Sequence, residues 1–160
     1  MHREHPDARV DELSQNGFTL IELMVVVLII SILIAIAIPV FLGARTRAND
    51  RATQSDLHNG LTAEKAVYTD TQQYYLNSAA VKVAEPSLKW GTKLLVQVGS
   101  NLAVDDTLCL SEKSTSGTWF AIGDVETTTP LATAGTYFTR AAADPCTTDA
   151  SVISGWPLNW

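Results

Sequence analysis

The sequence predicts an α+β protein in which a long N-terminal helix packs on a small antiparallel β-sheet. Three observations predict this class. Residues 23–44 contain no Asp, Glu, Lys or Arg. Residues 45–71 are polar but keep apolar side chains at helical intervals. Residues 72–160 hold short strand-like runs separated by Gly, Ser, Asp and Pro. The expected shape is a ladle, with the helix as its handle and the sheet as its head.

The apolar run predicts a transmembrane helix. About 20 residues at ~1.5 Å each match a hydrocarbon core ~30 Å thick. A buried helix of a soluble domain is the first alternative, but only Ser31 interrupts the run LMVVVLIISILIAIAIPVFL. A secretory signal peptide is the second alternative. Its apolar region spans about 7–15 residues after a basic segment, whereas residues 1–17 hold more acids than arginines.

The polar continuation of the helix, residues 45–71, is predicted to pack under the sheet. Leu57, Leu61 and Tyr68 recur at helical spacing and define the expected inner face. Gly60 is expected to weaken the helix locally. The charged side chains of this segment are expected to be partly exposed, where they face water or pair with another copy of the chain.

Four strands are predicted in the head, near residues 93–98, 108–110, 119–122 and 136–139. The polar stretch 112–117 lies between the second and third runs, which is typical of a hairpin. These strands predict an antiparallel sheet.

The two cysteines, Cys109 and Cys146, predict a disulfide if the head lies outside the cytoplasm. Two free buried thiols are the alternative. A bridge over so long a loop contributes about 3–4 kcal/mol by the chain-entropy estimate. A zinc site is not predicted, because the sequence has no C-x-x-C and its three histidines lie far from both cysteines.

The sequence predicts neither an enzyme nor a cofactor or metal site. It contains no G-x-S-x-G, H-E-x-x-H, P-loop or Rossmann glycine pattern. The pair Asp105 and Asp106 could help to hold calcium, but a solvated loop is the default interpretation. The net charge of −6 argues against nucleic-acid binding across the whole surface, although a local basic patch stays open.

The stretch GFTLIELMVVVLIISILIAIAIPVF, residues 17–41, closely resembles the N-terminal segment of type IV pilins and of type II secretion pseudopilins. The resemblance covers about 25 residues and does not extend to the head sequence itself. The resemblance implies the type IV pilin fold. The matching features are Gly17, Phe18, Thr19, Leu20, Glu22, the apolar run and Pro39.

The resemblance also implies how the chain is processed. A prepilin peptidase would cut after Gly17 on the cytoplasmic face and N-methylate Phe18. Residues 1–17 would be the leader, 18–44 the transmembrane and assembly helix, 45–71 the amphipathic stem, and 72–160 the head. The head would lie outside the cytoplasm. This topology overrules the arginines after the run, which alone lean towards a cytoplasmic C-terminus.

Glu22 is an acid at the edge of the apolar run, where a charge costs about 2.5–3.5 kcal/mol if it lies deep in the bilayer. The resemblance implies that Glu22 pairs with the Phe18 amine of a neighbouring subunit and sets the axial register of a filament. Helix geometry also permits pairing within one chain. The simpler interpretation is that Glu22 marks the interfacial end of an anchor helix.

Pro39 predicts a kink, because it removes one helical hydrogen bond and clashes with the carbonyl four residues back. Membrane helices tolerate such kinks. The resemblance further implies that the segment from Pro39 to Gly43 loses helicity on assembly.

The predicted function is that of a structural pilus subunit, with roles in adhesion, surface motility or DNA uptake possible for such filaments. Its partners would be identical copies in a helical filament, the prepilin peptidase, the assembly platform in the inner membrane, and lipid before assembly. The alternatives are a type II secretion pseudopilin, which shares every N-terminal feature, a DNA-uptake pilin, and a monomeric membrane-anchored domain. The cysteine pair favours the pilus over the pseudopilus.

Overall fold

The computed structural model describes residues 17–74, 79–99, 106–128, 130, 132–146 and 150–160. Helix α1 is by far the longest element, and four strands follow it, so the predicted α+β class is confirmed. Residues 1–16 of the predicted leader lie outside the described residues. The elements are α1 (Leu20–Thr71), α2 (Ala79–Ala84), β1 (Leu94–Gly99), β2 (Thr107–Lys113), β3 (Trp119–Val125), β4 (Gly135–Ala141) and α3 (Ala150–Ile153).

The chain divides into two compact units, with the boundary between Phe41 and Leu42 inside the sequence of α1. The described part of the first unit is an apolar helix, long and hydrophobic enough to cross a membrane. Ser31 is the polar interruption predicted from the sequence. Its hydroxyl donates to the carbonyl of Val27 at 2.7 Å, so the group is satisfied within the helix, as a lipid environment requires.

The second unit contains a four-stranded antiparallel sheet in the order β1-β2-β3-β4. All four predicted strands are confirmed, and so is the hairpin between β2 and β3. Its turn is closed by Ser114 N donating to Thr118 O at 2.9 Å and by Gly117 N donating to Ser114 O at 2.9 Å. Gly117 has φ 96°, which a glycine adopts without steric cost.

One face of the sheet packs against the C-terminal half of α1. Leu57 and Leu61 are buried there, and Tyr68 packs at the edge of the cluster, as predicted. Gly60 is also buried, and a Cβ at this position would lie 2.8 Å from Leu94 Cδ2. The glycine that was expected only to weaken the helix therefore lets the helix lie close to β1.

The opposite face of the sheet carries a smaller cluster around the disulfide. Cys109 on β2 is joined to Cys146 with a Cα–Cα distance of 5.6 Å, which confirms the predicted bridge. Ile153 of α3 packs over Gly123 of β3, where a Cβ would overlap the isoleucine side chain. The bridge and this contact attach the C-terminal segment to the sheet.

Candidate functional site

The first turn of α1 is closed by a capping box between Thr19 and Glu22. Thr19 N donates to Glu22 Oε2 at 2.8 Å, and Glu22 N donates to Thr19 Oγ1 at 3.3 Å. The Thr19 hydroxyl donates to the same carboxylate oxygen at 2.7 Å. This reciprocal pattern satisfies two of the N–H groups that a helix start leaves without partners. The negative charge also lies at the positive end of the helix dipole.

Sequence analysis missed this role of Thr19, although its signal was present. A Thr followed three residues later by Glu, just before an apolar run, is the sequence pattern of a capping box. In this chain the pattern is Thr19-Leu20-Ile21-Glu22. Glu22 therefore has a partner in its own chain before any second subunit or new amine is considered.

Gly17 and Phe18 lie just before this capped helix start. Both are exposed and belong to no helix or strand. A Cβ at Gly17 would meet no heavy atom within 4 Å. The peptide bond after Gly17 is thus accessible in non-helical backbone, which is the condition under which a chain enters a protease site.

The amine that was predicted to pair with Glu22 does not exist in the uncut chain, because Phe18 N is part of a peptide bond. The structure places Glu22 against Thr19, one residue from Phe18. Both capping residues would remain in the chain after a cut at Gly17. The pairing of Glu22 with a Phe18 amine, in the same chain or in a neighbour, stays a prediction.

The helix that follows presents apolar side chains on all of its sides. Exposure of the large hydrophobic side chains in the helix from Leu20 to Leu42 ranges from 48% at Ile30 to 75% at Leu20. A soluble helix buries one apolar stripe and keeps a polar face, so this helix lacks the pattern of a water-exposed element. Lipid or other apolar helices are the surroundings that such a surface fits.

Pro39 lies inside α1, which is assigned as helix through this residue and through Gly43. A Cβ at Gly43 would have open space, with Arg47 Nη1 nearest at 4.0 Å. Loss of helicity between Pro39 and Gly43 during assembly stays a prediction.

Asp124, a buried carboxylate of β3, ties α1 to the sheet in the second unit. Lys65 Nζ lies 3.0 Å from Asp124 Oδ1 and 3.5 Å from Glu126 Oε1. The Tyr74 hydroxyl lies 2.6 Å from Asp124 Oδ2 and 2.8 Å from Glu126 Oε1, so its single proton is shared between two carboxylate acceptors. Burial, together with the charge of Asp124, raises the pKa of Tyr74 well above its ordinary range. The hydroxyl is therefore held in its protonated, donating form.

A second tie joins Lys93 to the carboxylates of Asp56 and Glu112, at 2.6 and 2.8 Å. Burial raises the pKa of Glu112, and the ion pair with Lys93 opposes this shift without cancelling it. Hydrogen bonds to Asp56 and Glu112 raise the pKa of Lys93. This group links α1, the start of β1 and the end of β2, and it has the character of a structural ion network.

Within the described residues no group of three or more His, Cys, Asp or Glu side chains could hold a metal ion. Asp106, one member of the acidic pair noted in the sequence, is buried directly before β2. Its neighbour Asp105 lies outside the described residues. The pair therefore gives no support to a calcium site.

Comparison with known proteins finds a family model at the N-terminus. Residues 13–38 match the prokaryotic N-terminal methylation motif. This match contains the capping box, the Gly17–Phe18 bond and most of the apolar run.

Two curated proteins are also similar to the chain. One is the type IV wide pilus major component PilA4 of Thermus thermophilus, 42% identical over 66 residues. The other is the type IV major pilin protein PilA of Myxococcus xanthus, 45% identical over 59 residues. The aligned segments cover 41% and 37% of this chain, and 50% and 27% of the two relatives. The chain thus spans half or less of the relatives that it matches.

Proposed function

We propose that this chain, which has the N-terminal motif and the α+β fold of a type IV pilin, is a building subunit of a type IV pilus filament. Its function is then structural. As a pilin, it is a structural protein and not an enzyme. Both relatives are named as pilus components, which favours a pilus over a secretion pseudopilus. The disulfide favours the same choice.

The observation that carries the proposal is the apolar surface of α1. The large hydrophobic side chains from Leu20 to Leu42 are exposed on every side of the helix. At roughly 25 cal/mol per Å² of apolar surface removed from water, leaving them in water would be very costly. Two environments can cover them in turn: the bilayer before assembly, and the helices of identical subunits in the filament.

The proposed sequence of events begins with cleavage after Gly17 and N-methylation of Phe18 by a prepilin peptidase. The mature chain is then stored as a single membrane span, with its head outside the cytoplasm. An assembly platform in the membrane finally transfers the subunit into a helical filament at the cell surface. Adhesion, surface motility and DNA uptake are roles that such a filament could serve.

Glu22 has a proposed role at both stages. In the stored subunit the carboxylate stays in the capping box with Thr19. In the filament, where water is excluded, the carboxylate also pairs with the methylated Phe18 amine of a neighbour and fixes the axial register. Opposite charges attract far more strongly in such an interior than in water.

The test is to compare Gly17→Val with a control, Lys82→Gln, in cells that also express a prepilin peptidase. A side chain at Gly17 should block cleavage, so that the uncut protein stays in the membrane and no filaments appear in the sheared surface fraction. Lys82→Gln changes an exposed side chain of α2 and should still give filaments. Filaments built from uncut Gly17→Val protein would contradict the proposal.

A further inference from the structure

Three exposed arginines follow the apolar run directly: Arg45, Arg47 and Arg51. No ion pair joins any of them to another of the residues that the structure describes. The first unit supplies no charge between Leu23 and Phe41 to balance them. These three residues, the arginine collar, therefore form a patch of net positive charge in a chain whose net charge is −6.

The acidic residues nearest to the collar in sequence contact other partners. Asp50 Oδ1 accepts hydrogen bonds from the hydroxyls of Ser114, at 2.6 Å, and Ser116, at 2.5 Å. Asp56 is paired with Lys93 at 2.6 Å. Both carboxylates thus help to hold the head on α1. The serine hydroxyls are neutral donors and do not offset the charge of Asp50, so three arginines beside this one acid leave an excess of positive charge.

Arg47 points back along the helix towards its N-terminus. Side chains on an α-helix tilt in that direction, and the Nη1 atom of Arg47 lies only 4.0 Å from the position of a Cβ at Gly43. The guanidinium therefore lies about one turn closer to the apolar run than its own Cα. When that run lies in a bilayer, this is the depth of the headgroup phosphates.

The collar is also spread around the helix. At about 100° per residue, Arg45 and Arg47 project roughly 160° apart, from nearly opposite sides. A layer of lipid headgroups surrounds a helix, so arginines on opposite sides can each reach a phosphate. Guanidinium groups match phosphate oxygens in both charge and geometry.

We propose that Arg45, Arg47 and Arg51 bind the phosphates of anionic phospholipids at the outer surface of the membrane while the subunit is stored there. This inference rests on the membrane step of the proposed function. The collar fixes the depth of the span in the membrane. It also adds an attraction to lipid phosphates that must be broken when the subunit leaves for a filament. It also accounts for positive charge on the side of the membrane where flanking loops usually carry less of it.

The experiment uses the full chain in mixed micelles that hold equal amounts of phosphatidylglycerol and phosphatidylcholine. Native mass spectrometry measures the ratio of the two lipids retained per chain. Wild type should retain phosphatidylglycerol preferentially, and this preference should fall about fivefold for each arginine removed in Arg45→Gln/Arg47→Gln. The matched control, Lys82→Gln/Lys89→Gln, removes the same charge from exposed residues beyond α1 and should keep the wild-type ratio.

Two further measurements distinguish lipid phosphates from free phosphate and from contacts between subunits. Replacing chloride by inorganic phosphate at equal ionic strength should leave the ratio of the two lipids unchanged. If the preference for phosphatidylglycerol were lost in the phosphate buffer but not in chloride, the site would take free phosphate. An arginine variant that keeps its lipid ratio but forms no filaments would assign the collar to subunit contacts. Either result would overturn the inference, as would an equal loss of preference in the lysine control.

Insertion is measured first, by flotation of the wild-type chain with vesicles of pure phosphatidylcholine. A chain that stays out of these vesicles would overturn the membrane step of the proposed function, and this inference with it. A chain that inserts but shows no preference for phosphatidylglycerol would overturn the arginine inference alone.

Discussion

Glu22 combines two properties that substitution can separate, a hydrogen-bonding cap and a negative charge. Glu22→Gln keeps an N3 side chain that a capping box accepts, but removes the charge. Thr19→Ala keeps the charge but removes the capping hydroxyl, which costs about 0.5–2 kcal/mol of helix stability. Glu22→Ala removes both. We expect Glu22→Gln and Glu22→Ala to insert into the membrane but to lose filaments, and Thr19→Ala to assemble with reduced yield.

The measurement is electron microscopy of the sheared surface fraction, with membrane levels of each variant as the control for expression. If Glu22→Gln formed filaments at the wild-type level, capping alone would account for Glu22 and the register role would be wrong. If Thr19→Ala lost filaments as completely as Glu22→Ala, the cap would be the dominant role.

Tyr74 predicts how the head responds to alkali. Its pKa is raised in the folded state by burial and by Asp124, above the ordinary value of 10.0. The unfolded chain therefore releases this proton first as the pH rises. The stability that depends on the protonated hydroxyl is fully present below about pH 10 and is lost above it, by about 1.4 kcal/mol per pH unit.

The measurement is the free energy of unfolding of the full chain in detergent between about pH 10 and 11. Near-ultraviolet circular dichroism reports on the head, because all four tryptophans lie between residues 90 and 160. Tyr74→Phe should be less stable than wild type at pH 7, since Asp124 and Glu126 lose a donor, yet it should show a shallower alkaline slope. An unchanged slope would show that Tyr74 does not govern the loss of stability at alkaline pH.

At the scale of elements, the uncharged apolar run and the helical spacing after it were enough to predict α1, and the runs bounded by Gly, Ser, Asp and Pro were enough to predict the four strands. The helix ends at Thr71 and the inner face bears Leu57 and Leu61, as the sequence indicated. The short helices α2 and α3 were not predicted, because pieces of 6 and 4 residues carry too little periodicity and depend on tertiary packing.

The site was predicted in part, and the missing part has a physical reason. Gly17, Phe18 and Glu22 were predicted through a resemblance that emphasises cleavage and charge, and their roles in cleavage and assembly stay predictions. The capping role of Thr19 was overlooked because it is a local hydrogen-bonding effect. The close approaches at Gly60 and Gly123 could not be predicted, since they depend on which residues the fold brings opposite each glycine.

Gly123→Ala should destabilise the head, because the new methyl group would overlap Ile153, a β-branched side chain held on α3. Overpacking of this kind costs about 1–3 kcal/mol. Gly43→Ala is the control, since its methyl group meets open space and alanine favours a helix. Thermal unfolding followed by the tryptophan signal should show a lower midpoint for Gly123→Ala only. Equal midpoints would mean that α3 moves aside freely.

At the scale of the whole molecule, the two units have different surfaces. The first unit exposes an apolar helix with one acid, Glu22, among its described residues. The second unit has its own core, a disulfide and buried ion networks that hold α1 on the sheet. The head thus needs no partner to bury its core, whereas the first unit needs lipid or further copies of itself. This division is what a subunit that is stored in a membrane and then assembled requires.

The most direct test is an intact-mass and N-terminal analysis of protein sheared from the cell surface. The account predicts a chain that begins at N-methylated Phe18, keeps the Cys109–Cys146 bridge, and sediments with filaments. A chain that still begins at Met1 and is found only in the membrane fraction would contradict it, leaving a single-span anchored protein in which Glu22 does no more than cap a helix.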